Sequence, residues 1–371
     1  MAINVLLIGE SAANRDTLAR LLATATDMRV QNAAVNPLGT PEKLRSNWPD
    51  AIVIDLDQAR MEIVGHIKQI MRTRPTPIVV CASPGRSTTL SVPMEAMAAG
   101  AVATVTKPTG YLQTVQNDFG KRLIQEVRTA IQARVGSRFQ NPRTQTLAAI
   151  SQNIAERASG PVLTADAMLP PPNRAAAQSL LKTAPVVAIG TSAGGTLALE
   201  KLLPRLPVNC PPIAIVQHMP ESLTATFARR LDGLSRINVR EARDGEPMKP
   251  GVALIAPGGK HMMIRRNNTG YYVDVRNGPI VNRHRPSVDV LFRSAAATCG
   301  FNATGFILTG MGDDGARGLK EMRDCGAYTI AQDEASCTVF GMPKEAIRQG
   351  AAQEVLSLDQ ITQKIATMTR S

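Results

Sequence analysis

Aromatic residues are scarce in this chain of 371 residues: phenylalanine, tryptophan and tyrosine together make up 3%, with one tryptophan and four tyrosines. Proteins that bind single-stranded nucleic acid stack the bases on aromatic side chains, and so few rings provide little of such a platform. The formal net charge of +12 attracts phosphates, but the basic residues are spread along the chain and form no recognition helix. We therefore expect no nucleic-acid partner, and an acidic protein surface fits this charge better.

Cysteines and long apolar runs are also few. The five cysteines are an odd number, lie far apart and show no C-x-x-C spacing, so the sequence predicts reduced thiols and neither a disulfide framework nor a zinc site. No apolar run approaches the ~20 residues that a membrane-spanning helix needs. The stretch from Met1 to Ile8 lacks the features of a secretory signal and resembles a first strand. We expect a cytoplasmic protein that does not insert into a membrane.

Length and periodicity predict an α/β fold of two domains joined by a linker. Apolar strand segments alternate with helix-like segments over residues 1–135 and again over 184–371, a pattern typical of doubly wound parallel sheets. The second stretch adds an antiparallel hairpin, in which His261 to Arg266 returns as Tyr271 to Val275. Residues 136–183 lose this periodicity and are rich in Pro, Ser, Asn, Gln and Ala, which predicts a linker.

A serine between glycines is the most informative feature of the second domain. In the stretch from Val186 to Gly195, an apolar strand breaks into a helix at Gly190-x-Ser192-x-Gly194. The glycines allow the sharp turn that exposes a nucleophile, and the start of the helix directs N–H groups at the same place. A Gly-rich turn of this kind also suits phosphate binding, so this stretch alone leaves a hydrolase and a nucleotide site equally open.

Polar residues at the ends of two other predicted strands favour the hydrolase. His218 follows one strand, and Asp313 and Asp314 follow another. Because parallel strands bring their carboxyl ends to one edge of a sheet, Ser192 can meet a histidine and an aspartate there. Such a set supplies a nucleophile, a general base and a carboxylate that orients the base. The order Ser–His–Asp along the chain differs from that of α/β-hydrolases, and these residues alone do not choose between the two aspartates.

The motifs of the second domain closely resemble those of the chemotaxis receptor methylesterases, the CheB family. Besides the motifs above, the shared blocks are Ile255-Ala256-Pro257-Gly258, Arg285-Pro286-Ser287-Val288-Asp289, Leu308 to Gly315 and Ala331 to Pro343. The resemblance implies that Ser192 is the nucleophile, His218 the general base and Asp314 the orienting carboxylate. The family's Gly-x-Asp-Gly pattern is what selects Asp314 over Asp313.

The same resemblance implies an activity and a partner. Members of the family hydrolyse γ-glutamyl methyl esters on the cytoplasmic helices of chemoreceptors, and often deamidate receptor glutamines, without a cofactor. It also implies that the backbone N–H groups of Ala193 and Met311 hold the oxyanion. We expect His261, His284 and Asp289 to support the loops and helices of the site. The alternative is a catalytically inactive CheB-like protein that docks on a receptor or a pathway partner.

The first domain resembles a response-regulator receiver, in which an aspartate accepts a phosphoryl group beside Mg²⁺. Asp55 matches the phosphoacceptor and Lys107 the switch lysine, which implies a histidine kinase as a partner. Receivers carry two adjacent acids after the first strand. This chain has Gly9-Glu10, which leaves Glu10 and Asp55 as metal ligands, and Ala82 replaces the usual Ser or Thr. We therefore expect a degenerate receiver with a weakened phosphorylation switch.

Overall fold

The computed structural model of this chain describes residues 2–32, 48–56, 62–83, 91–108, 113–132 and 162–368. The chain divides into two compact units, Met1–Arg157 and Ala158–Ser371, each with a parallel sheet of its own. The predicted fold class is confirmed. Within the described segments, no helix has both the length and the apolar character that spanning a bilayer requires.

The first unit alternates strands and helices along the chain. Its strands are β1 (Ile3–Ile8), β2 (Met28–Asn32), β3 (Ala51–Asp55), β4 (Ile78–Ala82) and β5 (Ala103–Thr106). Its described helices are α1 (Ala12–Ala23), α2 (Glu62–Thr73), α3 (Ser91–Ala98) and α4 (Gln113–Gln132). The strands pair in the order β2-β1-β3-β4-β5, all parallel, which is the order of flavodoxin-like folds. The strand β3 is buried along its whole length, as expected for a strand that is covered on both faces.

The second unit is larger. Its strands are β6 (Val186–Thr191), β7 (Ile213–Gln217), β8 (Asn238–Glu241), β9 (Val252–Ile255), β10 (His261–Asn267), β11 (Gly270–Arg276), β12 (Ala303–Ile307), β13 (Tyr328–Gln332) and β14 (Glu354–Leu356). Its described helices are α5 (Arg174–Gln178), α6 (Gly195–Leu202), α7 (Glu221–Leu234), α8 (Val288–Cys299), α9 (Ala316–Asp324), α10 (Met342–Arg348) and α11 (Leu358–Thr367). Seven strands form a parallel sheet in the order β14-β13-β12-β6-β7-β9-β8, whereas β10 and β11 form the predicted antiparallel hairpin.

Helix α8 anchors one wall of the site to the core. Its side chains Leu291, Phe292 and Ala295 are fully buried in the main apolar cluster of the unit, together with Ala188 of β6. Burial of each of the larger side chains, Leu291 and Phe292, stabilises the folded state by roughly 1.5–3 kcal/mol. Because the helix begins at Val288, this packing also fixes the position of its first N–H groups relative to the sheet.

Part of the predicted linker packs against the second unit. Residues 136–161 lie outside the described segments, whereas residues 162–183 contact the second unit directly. Leu169 is buried in a small apolar cluster of that unit. The Arg293 guanidinium lies 2.5 Å from the Asp166 carboxylate and donates a hydrogen bond to the Leu169 carbonyl. The described part of the predicted linker, residues 162–183, therefore belongs to the second unit, where tertiary contacts that composition does not reveal hold it in place.

Candidate active site

Three strand ends of the large sheet meet at the site. Strands β12, β6 and β7 are neighbours, and Thr191 of β6 pairs in register with the last residue of β7. Ser192 and His218 come one residue after that pair. The Ser192 N–H donates to the Thr309 carbonyl at 3.1 Å, and the His218 N–H donates to the Thr191 carbonyl at 3.1 Å. The serine is thereby tied to the segment after β12 that leads to Asp314.

A buried glutamine joins the serine to the histidine. The amide nitrogen Nε2 of Gln217 donates to the Ser192 carbonyl at 2.9 Å and to the His218 carbonyl at 3.1 Å. Gln217 is 1% exposed, so this fork of hydrogen bonds is shielded from water. The role of Gln217 in joining these two residues was not predicted. The pattern that indicates such a role is a single polar residue at the end of the apolar strand Ile-Ala-Ile-Val-Gln.

Two glycines let the backbone approach Ser192 closely. Gly194, which precedes helix α6, has a φ of +77°, in the left-handed region that favours glycine. At Gly310, a Cβ atom would lie 3.0 Å from the Ser192 Cβ, closer than a side chain tolerates. Ser192 is half-buried in the turn between β6 and α6, as a nucleophile elbow requires.

Backbone donors flank the serine. Ala193 follows it directly, and Met311 follows the glycine that contacts it. Among the hydrogen bonds of the described residues, none has the N–H of Ala193 or of Met311 as its donor. Two such N–H groups beside a nucleophile can hold a negatively charged oxygen.

His218 and Asp314 form a hydrogen-bonded pair. The distance between His218 Nε2 and Asp314 Oδ2 is 2.8 Å. Asp314 has no exposure to solvent, and its carboxylate accepts further hydrogen bonds from the Ser287 hydroxyl at 2.8 Å and from the N–H groups of Val288 at 2.7 Å and Asp289 at 3.1 Å. The last two belong to the first turn of α8, whose positive end stabilises an anion.

These donors keep Asp314 ionised and thereby define the tautomer of His218. Burial raises the pKa of Asp314, but the hydrogen bond and charge of His218 outweigh it, with help from Val288, and the pKa falls to about 2. An ionised carboxylate only accepts hydrogen bonds, so Nε2 of His218 is the donor. The lone pair then resides on Nδ1, which is buried and has no hydrogen-bond partner among the described residues. This is the atom that can accept a proton.

The two neighbouring aspartates differ in environment. Asp313 is half-buried, whereas Asp314 is fully buried against the histidine. Behind them, Asp289 accepts hydrogen bonds from the N–H groups of Gly315 at 2.9 Å and Gly318 at 2.8 Å, at the start of α9. Burial and the negative charge of Asp314 raise the pKa of Asp289. Asp289 thus braces a helix, and it makes no direct contact with the histidine among these hydrogen bonds.

Two further histidines lie around the pair. His261 accepts a hydrogen bond from the Ser287 N–H at 3.2 Å and donates one to the Pro279 carbonyl at 2.8 Å, which holds the wall of the site together. Burial lowers its pKa. His284 lies closer than expected: its ring stacks on that of His218, with centroids 3.7 Å apart. No local sequence pattern predicts this contact.

The cluster of His218, His284 and Asp314 has the residue types of a metal site, with ligand atoms within 4.8 Å of one another. The two rings, however, are only 6° from parallel. Their in-plane lone pairs therefore lie in two separate and nearly parallel planes, whereas the lone pairs of metal ligands point at one centre. Stacking and the short hydrogen bond to the aspartate indicate an acid–base site.

In the first unit, the structure brings two of the predicted residues together. Asp55, at the end of β3, is buried, and its Oδ1 lies 2.5 Å from Nζ of Lys107, which follows β5. Glu10 is exposed. The guanidinium of Arg15 donates to the carbonyl of Gly9 at 2.5 Å and to the carbonyl of Glu10 at 3.1 Å.

Residue 9 differs from the corresponding position of a receiver's metal site. A receiver has an acid at the position of Gly9. A side chain at this position would bring its Cβ atom to 2.9 Å from the Asp55 Cβ, which is too close without a shift of the structure. Mg²⁺ is held in proteins by one or two carboxylates together with waters, and glycine at residue 9 leaves Asp55 and the exposed Glu10 as the predicted carboxylate ligands.

The fold and the site together define a two-domain α/β protein with a serine, a histidine and a buried aspartate at one sheet edge. Residues 187–365 match the family described as CheB methylesterase. The chain is 47% identical to protein-glutamate methylesterase/protein-glutamine glutaminase 1 of Chromobacterium violaceum, over 99% of this chain and 99% of that one. It is 50% identical to the protein of the same name from Pseudomonas savastanoi pv. phaseolicola, over 98% of each. The chain therefore belongs to the CheB methylesterase family.

A solved structure is also similar. The crystal structure of the Thermotoga maritima CheB methylesterase catalytic domain matches this chain with 39% sequence identity, covers 51% of this chain and 100% of its own, and has a TM-score of 0.49.

Proposed function

We propose that this chain is a protein-glutamate methylesterase that hydrolyses γ-glutamyl methyl esters on chemoreceptors and releases methanol. The observation that carries the proposal is the hydrogen bond of 2.8 Å between His218 and the fully buried Asp314, at the sheet edge where Ser192 follows β6. The relatives named above are called protein-glutamate methylesterases, which supports the same substrate class.

The geometry supports a two-step acyl transfer. The Ser192 hydroxyl attacks the ester carbonyl while its proton passes to Nδ1 of His218, and Asp314 stabilises the imidazolium through Nε2–H. The N–H groups of Ala193 and Met311 hold the oxyanion. Collapse of the intermediate breaks the ester C–O bond, and methanol leaves with the proton from His218. Water then attacks the acyl-enzyme, with the same histidine as base, and a glutamate is released. These steps combine nucleophilic attack, loss of a leaving group and proton transfer, with no change of oxidation state, and the side chains named above can carry them without a cofactor.

Deamidation of glutamine fits the same machinery. The serine would attack the amide carbonyl, and ammonia would leave with the proton from His218 in place of methanol, so that the same acyl-enzyme forms. The names of the relatives include protein-glutamine glutaminase, which supports this second activity.

The charge of the chain supports an acidic helical substrate. Arg283 and Arg285 are exposed and flank His284, at the edge of the site, and the chain as a whole carries a formal net charge of +12. Such cations would guide the acidic cytoplasmic helices of a chemoreceptor to the serine. The protein would then act in the cytoplasm, with neither nucleic acid nor membrane insertion involved.

The first unit is proposed to act as a docking module without Mg²⁺-dependent phosphorylation. The pairing of the buried Asp55 with Lys107, and glycine at residue 9 where a receiver has an acid, support this role. A histidine kinase would then be a partner that the chain contacts without accepting its phosphoryl group at Asp55.

Incubation of the purified chain with a receptor that carries labelled methyl esters tests the proposal. We expect release of labelled methanol, and release of ammonia from a receptor with glutamines at the same positions. An inactive docking protein would bind the receptor and release neither product, which would reject the proposal.

A further inference from the structure

The proposed base has a second imidazole against its face. The rings of His284 and His218 stack with centroids 3.7 Å apart and planes 6° from parallel. At this distance the faces of the two rings are in van der Waals contact. The His218 ring therefore cannot tilt out of its plane towards His284 without displacing its neighbour.

A tight turn holds His284 in place. Asn282 and Arg283 have φ angles of 46° and 67°, both in the left-handed region that residues other than glycine rarely adopt. The N–H of Val281 donates to the His284 carbonyl at 3.1 Å, and the N–H of His284 returns a hydrogen bond of 2.8 Å to Val281. The Asn282 side chain is buried and donates to the Asp289 carboxylate at 3.3 Å. Strained backbone that is held by buried contacts is typical of functional sites.

The hydrogen bonds of His284 define its charge state. Its Nδ1 lies 2.7 Å from the Asn282 carbonyl, which only accepts, so Nδ1 carries a proton. Burial lowers the pKa of His284 to about 3, and the positive charges of His218 and Arg283 act in the same direction, against the opposing effect of Asp314. His284 is therefore neutral at the pH at which a histidine base works. A neutral ring lets positive charge develop on His218, whereas a cation at this distance would oppose it.

We infer that His284 is a positioning residue: its ring fixes the plane of His218, so that Nε2 stays directed at Asp314 and Nδ1 stays available for the proton of Ser192. The inference rests on the proposed hydrolase function and adds one residue to the same site. His284 acts only through His218 and exchanges no proton with the substrate. A small error in the orientation of a base lowers the rate strongly, because proton transfer needs a defined geometry.

Replacement of the ring by other shapes tests this inference in the full-length chain. His284→Ala and His284→Gln remove the flat ring, and we expect kcat on the methylated receptor to fall by about 10- to 100-fold with KM unchanged. His284→Phe restores a flat, neutral ring without ring nitrogens, and most of the activity should return. His66→Ala, which removes a histidine of the first unit, is the matched control and should behave like the wild type.

Two results would overturn the inference. If His284→Phe is as impaired as His284→Ala, the nitrogens of His284 matter and the stacked ring does not. If His284→Ala and His284→Gln keep wild-type turnover, the stack has no effect on the base. Circular dichroism and thermal unfolding identify a variant that fails to fold, and the comparison of His284→Phe with His284→Gln then decides.

Imidazole ¹⁵N spectra provide a test that uses no substrate. In the wild type we expect His218 as the Nε2–H tautomer, and His284 as a neutral Nδ1–H tautomer that resists protonation at about pH 5, where an ordinary histidine is charged. In His284→Ala, His218 should become a mixture of tautomers. An unchanged His218 signal in that variant would contradict the positioning role. If the wild-type chain releases no methanol, the proposed function fails, whereas these spectra still decide the role of His284.

Discussion

The Ser287 hydroxyl donates a hydrogen bond of 2.8 Å to Asp314, on the carboxylate oxygen that does not face His218. Oδ2 of Asp314 contacts the base and also accepts from the Val288 N–H, whereas Oδ1 accepts from the Ser287 hydroxyl and the Asp289 N–H, so the start of α8 holds both oxygens. The carboxylate has no exposure to solvent and cannot turn without losing these donors. The orientation of the base is therefore set by the packing of α8 against the sheet, and several properties of the enzyme depend on it.

Asp314→Asn should lower kcat by about 10⁴-fold, the loss expected when an amide replaces the carboxylate that orients the base of a serine hydrolase. The amide reverses the hydrogen bond to His218 and puts the proton on the wrong nitrogen. Asp313→Asn is the matched control, since its side chain is only half-buried and lies outside the network of Asp314. Steady-state kinetics of both variants measure the difference. Equal losses in the two variants would show that Asp314 has no special role.

Stability should depend on pH through His284. Its pKa falls from 6.5 to about 3 on folding, chiefly through burial, so the unfolded chain binds a proton that the folded chain excludes between these values. His284 therefore does not lower the free energy of unfolding above the unfolded pKa of 6.5, and it lowers this free energy increasingly as the pH falls from 6.5 to about 3. His284→Phe should therefore lose less free energy of unfolding than the wild type on acidification. Urea denaturation at a series of pH values measures this, and parallel curves would contradict it.

Electrostatic guidance should make turnover on the receptor depend on salt. Salt screens the attraction between an acidic receptor helix and the exposed cations, whereas a small activated ester has little charge to screen. Arg285→Ala should lower kcat/KM on the receptor a few-fold at low salt and leave the small ester unaffected. Arg236, an exposed arginine beside the edge strand β8, offers the matched control. Equal salt sensitivity for both substrates would argue against guidance.

Asp55 should be a poor phosphoacceptor. A small-molecule phosphodonor with Mg²⁺ should label it weakly and change esterase activity little, because Gly9 removes one acid from the metal site and Ala82 stands where a receiver has Ser or Thr. Mass spectrometry of the intact chain measures labelling. Rapid stoichiometric labelling, with a several-fold rise in turnover that Asp55→Ala abolishes, would restore ordinary phosphoactivation.

Much of the fold could be predicted because it follows from local patterns. Buried parallel strands such as Ile78–Ala82 are continuous apolar runs, and the rule that strand ends share an edge was enough to bring Ser192, a histidine and an aspartate together. Strand β2 was missed because Met-Arg-Val-Gln-Asn is short and polar, as edge strands often are.

The remaining features depend on tertiary contacts that no local pattern encodes. The family motif favoured Asp314 over Asp313, and in the structure it is Asp314 that is buried beside the histidine. The end of the predicted linker is held by an ion pair between Asp166 and Arg293, which are far apart in the chain. The stack of His284 on His218 arises from a turn in which residues other than glycine adopt positive φ, and propensity predicts no such turn.

The central claim is that Ser192 forms the acyl-enzyme, and the release of labelled methanol from methylated receptor by a Ser192→Ala variant tests it most directly. Ser222, an exposed serine at the start of α7, provides the matched control. We predict that Ser192→Ala retains the fold and releases methanol orders of magnitude more slowly than the wild type, since the serine, the histidine and the aspartate act as a unit. Ser222→Ala should match the wild type. Near-normal methanol release by Ser192→Ala would contradict the account.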